Sequence, residues 1–121
     1  MNNMVEKKGT KTDMIANNLT PAIAIHPGEL IHDEIEFRGI AQRELARRIE
    51  VSPTIINEIL KGKRQLSTEM ALLIGAALDI DAEPLIELQS RYNIYKIHKN
   101  PSFQKRLASV KRIRRTVFGN A

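Results

Sequence analysis

Cysteine is absent from this 121-residue chain, and so is tryptophan. Without a thiol, disulfide staples and thiolate chemistry are excluded, and nothing points to an oxidising compartment. No apolar run reaches the ~18 residues that would span a bilayer, and the start lacks an uninterrupted hydrophobic segment of the signal-peptide kind. A cytoplasmic location is therefore expected. Also missing are a Gly-rich phosphate loop, a nucleophile–base pairing and a specific pair of catalytic carboxylates. An enzyme is not expected, and no catalytic residue or cofactor is assigned.

The length suits one domain with tails. A net charge of +5 conceals an uneven distribution. Residues 1 to 21 hold three Lys against one Glu and one Asp, residues 22 to 90 hold seven basic against twelve acidic groups, and residues 91 to 121 hold nine basic and no acidic groups. A basic final quarter behind an acidic core suggests contact with a polyanion or an acidic partner, with a solvated basic helix face as the plainer alternative.

The chain is organised around Gln42 to Leu60, where two short helical patterns meet across a minimal turn. The first places Leu45, Ala46 and Ile49 on one face and Arg43, Glu44, Arg47 and Arg48 outside. In the second, Ser52 is a good N-cap and Pro53 stands at the first helical position, where a missing N–H costs nothing. Ile56, Ile59 and Leu60 form its apolar stripe, and Pro53, Thr54, Asn57, Glu58 and Lys61 share the opposite face. Amide and hydroxyl groups on an exposed helix are what reads base edges in a major groove, and Lys61, Lys63 and Arg64 follow where phosphates would be neutralised. A helix-turn-helix is expected, with a structural helical hairpin as the alternative. Glu50 stands where the turn commonly carries Gly, and a left-handed conformation there would strain it by roughly 1 kcal/mol.

Around this centre the chain divides into a flexible arm (1–21), a helix-turn-helix domain (22–99) and a basic amphipathic C-terminal helix (100–121). Residues 22 to 25 could lie extended against the domain. His26 and Pro27 open a helix running to Arg38, with Leu30, Ile31, Ile35 and Phe37 expected inside, Asp33, Glu34 and Glu36 outside, and Gly39 as its stop. His26, His32, Asp33 and Glu34 lack the spacing of a metal site such as HExxH, so no metal ligand is assigned. Ser67 caps a fourth helix, Thr68 to Leu78, apolar on nearly all sides and expected to be core. Asp81 caps a fifth from Ala82, where Pro84 is tolerated in the first turn. Leu85, Leu88, Tyr92 and Tyr95 recur at helical spacing, and Ile86, Ile94 and Ile97 widen the arc enough to imply a partner, most simply a second copy. After Asn100 and Pro101, Phe103, Leu107, Val110, Ile113 and Val117 form a stripe opposite Lys105, Arg106, Arg112 and Arg115. Membrane binding ranks last for this helix because Trp is absent.

The run from His26 to about Tyr92 resembles the HigA family of bacterial antitoxins, within the Cro/C1-type (XRE) helix-turn-helix class. The likeness is carried by HPGE, AQRELAR, VSPTIINEILKGKR, STEMALLIGAAL and ELQSRYNIYK. It implies an all-α fold, a five-helix lambda-repressor-like domain to which the basic helix is an addition. In that class the Gln at the start of the second helix holds phosphate, here Gln42, and the exposed start of the third reads bases, here Ser52, Pro53, Thr54, Ile55, Asn57 and Glu58. The resemblance implies a homodimer on operator DNA in its own promoter, repressing its own operon and neutralising a HigB-type toxin, a ribosome-dependent mRNA endonuclease of the RelE class. A stand-alone repressor without a toxin is the alternative, and an inhibitor that has lost DNA binding a third. Asp79 departs from the Gly usual after the fourth helix, and Pro84 and Leu85 from the family's frequent aromatics.

Overall fold

Helix ends set this architecture as much as apolar patterning does. The computed structural model describes residues 24–118, so the expected arm at 1–21 lies outside the described residues. Six helices and no strand occur among the described residues: α1 Pro27–Arg38, α2 Gln42–Arg48, α3 Pro53–Leu60, α4 Thr68–Leu78, α5 Glu83–His98 and α6 Pro101–Phe118. Ser52 and Ser67 accept from the backbone N–H of Thr54 and Met70, and Asp81 accepts from that of Glu83, which starts α5 one residue later than expected. Each cap satisfies a donor that the first helical turn leaves orphaned. The chain forms two compact units, one from Ala24 to Tyr92 and one that, among the described residues, runs from 93 to 118.

In the first unit, α3 packs on both α1 and α2, and α4 packs on α2. Ile31 and Ile35 of α1, Leu45 and Ala46 of α2, Ile56 and Ile59 of α3, Ile74 and Leu78 of α4 and Leu85 of α5 form one buried cluster. Each of the larger side chains contributes on the order of 2 kcal/mol by leaving water. Gly28 permits the closest approach, because a β-carbon there would overlap the carbonyl oxygen of Ile59. Among the described residues four turns use the left-handed region, at Gly39 (φ 67°), Glu50 (φ 59°), Gly62 (φ 73°) and Asp79 (φ 57°). Glu50 thus carries the strain expected of it, and Asp79 takes the conformation for which the family resemblance implied Gly.

Some expectations of burial fail. Phe37 is 87% exposed, because it falls on the side of α1 away from Ile31 and Ile35. Leu72 and Leu73 are 57% and 43% exposed, so α4 is core on one face only, through Ala71, Ile74 and Leu78. His26 is buried and caps α1, its Nδ1 accepting from the Gly28 N–H at 2.9 Å, and its ring meets the Tyr92 ring edge-on at 4.9 Å. Gln89 on α5 is the polar residue that periodicity misses. It is buried, and its Oε1 accepts from the Leu66 N–H at 2.8 Å, which satisfies a backbone donor in the loop before α4.

In the second unit, Asn100 caps α6 through the Phe103 N–H. The stripe on α6 is open to solvent at Val110, Ile113 and Val117, as Ile94 and Ile97 are on α5.

Candidate nucleic-acid interface

The α2–α3 pair presents its two helix starts side by side. Ala46, one of the most buried residues, lets the helices come together, and Val51 closes the turn by donating its N–H to the Ala46 carbonyl at 3.0 Å. Gln42 begins α2 and Asn57 lies one turn into α3, and Asn57 Nδ2 donates to Gln42 Oε1 at 3.2 Å. Ala41, Gln42, Arg43, Pro53, Thr54 and Asn57 line an open groove of about 470 Å³ between the two starts. Gln42 keeps both amide protons. Asn57 keeps Oδ1 and its second N–H, an acceptor beside a donor, which is the pattern that matches the N6 and N7 edge of adenine.

The remaining expected site residues divide by environment. Ser52, Pro53 and Thr54 are exposed at the start of α3, with the Ser52 oxygen already accepting from Thr54. Ile55 is half-buried and packs against the core. Lys61 and Lys63 are exposed around Gly62, whose positive φ of 73° turns the chain after α3. Glu58 and Arg64 face each other: the Arg64 guanidinium meets Glu58 Oε1 at 2.8 Å, so the charge of Arg64 is offset in the free protein.

A second ion-pair group lies on the outward side of α2. Glu44 accepts from Arg47 and Arg48, and these hydrogen bonds, Arg47's first, lower its carboxyl from the ordinary 4.5 to about 2. The same bond raises the Arg47 guanidinium further above its ordinary value. On α1, Glu34 pairs with Arg38, while His32 stands 3.9 Å from both Asp33 and Glu36 on an exposed turn. The ligand-type atoms of those three lie within 4.8 Å of one another, and His26, capping α1 from inside, is not among them.

A helix-turn-helix family model matches residues 37–85, which holds α2, the turn, α3 and α4. The chain belongs to the Cro/C1-type helix-turn-helix family of DNA-binding regulators. The solved structure of the Pseudomonas aeruginosa antitoxin HigA with higBA promoter is 32% identical, with a TM-score of 0.62 over 68% of this chain and 90% of that one. Virulence-associated protein I of Dichelobacter nodosus is 33% identical over 59% of this chain and 67% of its own length. An uncharacterised HTH-type transcriptional regulator of Escherichia coli K12, YddM, is 26% identical over 75% of this chain and 89% of its own. Among the described residues, no helix is long and apolar enough to cross a membrane.

Proposed function

We propose that this protein is an operator-binding antitoxin that represses its own operon and neutralises a HigB-type mRNA endonuclease. The observation that carries the DNA reading is the Asn57–Gln42 hydrogen bond, which holds a base-reading amide at a set angle beside a phosphate-holding one. Gln42, Lys61 and Lys63 meet phosphates. Ser52, Pro53, Thr54 and Asn57 face base edges, with Asn57 on adenine. Ile55 holds the helix against the core while its exposed part touches a thymine methyl, and the Glu58–Arg64 pair sits at the far end of α3. One short helix makes too few contacts for tight specific binding. Two copies paired about one helical turn of DNA apart supply the rest, joined through apolar surface such as that of Ile94 and Ile97.

The antitoxin half of the reading is supported by the likeness to the P. aeruginosa antitoxin and by the acidic exposed face of α1, where Asp33 and Glu36 suit a basic partner. The cationic α6 would repel such a toxin, so it serves the dimer or the DNA backbone. A stand-alone repressor is the second reading, favoured by the regulator name of the E. coli relative. Whether a gene for a small basic protein adjoins this one, and co-expression with its product where it does, separates the two. Rescue of growth by the full chain, lost when Asp33 and Glu36 become Lys, is the expected result. No rescue, with operator binding intact, would leave only the repressor.

A further inference from the structure

The arginines of α1, α2 and the turn after α3 are not equivalent. Arg38 pairs with Glu34, Arg47 and Arg48 share Glu44, and Arg64 pairs with Glu58, so each of these guanidiniums has a carboxylate within reach. Arg43 is exposed and, like the exposed Arg91 on α5, pairs with no carboxylate of the described residues, but of these two Arg43 is the one that lines the groove between α2 and α3. It stands in the first turn of α2, a helix whose N-cap, Ala41, offers no side-chain acceptor. A cation there opposes the helix dipole, so Arg43 works against the stability of the element that carries it. Its side chain lines the groove shared with Gln42, Thr54 and Asn57, and also the adjoining hollow lined by Glu44, Arg47 and Pro53.

An unmatched guanidinium that opposes its own helix and borders the α2–α3 groove is explained by an anion that arrives from outside. We propose that Arg43 binds a phosphate of the DNA backbone and seats α2 across the strand. This rests on the DNA reading above and adds a contact that the sequence pattern assigned only to an outward face. The first helix of such a pair crosses the backbone while the second enters the groove, which places residue 43 over phosphate rather than base. A guanidinium fork also meets two phosphate oxygens at once, which a neighbouring Lys cannot do. Arg64, held by Glu58, would have to give up that partner to act the same way.

The test uses the full chain with two duplexes of equal length, one from upstream of its own coding sequence and one of random sequence, by fluorescence anisotropy between about 50 and 200 mM salt. Arg43→Gln should lose roughly tenfold in affinity on both duplexes, and its salt slope should fall by about 0.9. Arg43→Lys should keep the slope. The melting temperature of Arg43→Gln should equal or exceed that of the unaltered protein, which a structural role would not allow. An unchanged slope in Arg43→Gln, while Gln42→Ala still weakens binding, overturns the assignment and spares the DNA reading. A loss confined to the operator duplex overturns it in favour of a base contact. An unaltered chain that binds neither duplex overturns both.

Discussion

Asn57 and Gln42, fifteen residues apart in sequence, share a hydrogen bond from Nδ2 to Oε1 of 3.2 Å, and this bond ties the start of α2 to the exposed face of α3. The coupling should be measurable. Asn57→Ala is expected to cost ~1–3 kcal/mol on the operator and little on random DNA, as is Thr54→Ala. Gln42→Ala and Lys63→Ala should weaken both, Lys63→Ala with about one unit less salt dependence. In a double-mutant cycle on operator binding, Gln42→Ala and Asn57→Ala should fall short of additivity by ~0.5–1.5 kcal/mol. Strict additivity would show that the bond does not position the reading amide.

Gly28 should not tolerate even one methyl group. The β-carbon of Gly28→Ala would overlap the Ile59 carbonyl where α1 crosses α3. Backbone cannot swing aside as a flexible side chain can, so a loss of about 3 kcal/mol or more is expected in urea unfolding. Gly39→Ala gives a useful contrast. Nothing lies near its added methyl group, and only the left-handed φ of 67° opposes it, which should cost about 1 kcal/mol.

Two non-glycine residues with positive φ offer stabilising changes. Glu50→Gly should raise stability by ~0.5–1 kcal/mol, since its φ of 59° crowds a β-carbon. Asp79→Gly should gain less despite a φ of 57°, because a short Asp side chain tolerates this region better. Equal melting temperatures for Glu50→Gly and the unaltered protein would argue against strain in the turn.

Acid should remove one specific contribution. The Glu44 carboxyl is lowered from 4.5 to about 2 by the Arg47 and Arg48 hydrogen bonds. A depressed folded value means that the pair stabilises the fold above about pH 4.5 and loses that effect as pH falls towards 2. Glu44→Gln should therefore melt lower than the unaltered chain at pH 6, with the gap closing by about pH 2. Because the pair is exposed, added salt should narrow the gap at pH 6 as well. A gap that widens on acidification would show that the arginines are not what lowers the carboxyl.

Much was legible in the chain before folding because it is written in local rules. Ser52 followed by Pro53, Ser67 before its helix, and Gly39 after Arg38 mark helix ends by caps and φ preference, which depend on a few neighbouring residues. Periodicity likewise placed Leu45, Ala46, Ile56 and Ile59 inside, since one face of a short helix packed on two others must be apolar. Burial depends instead on which face meets which neighbour, and there local pattern was insufficient. Phe37, Leu72 and Leu73 continue apolar runs yet face outward, while the polar His26 and Gln89 face inward because backbone N–H groups there need acceptors. Partnership among charges was decided at the same level. Sequence put Arg43, Arg47 and Arg48 alike on an outward face and Arg64 among the phosphate-neutralising cations, and only the tertiary arrangement gave Arg47, Arg48 and Arg64 carboxylate partners and set Arg43 beside the groove between α2 and α3.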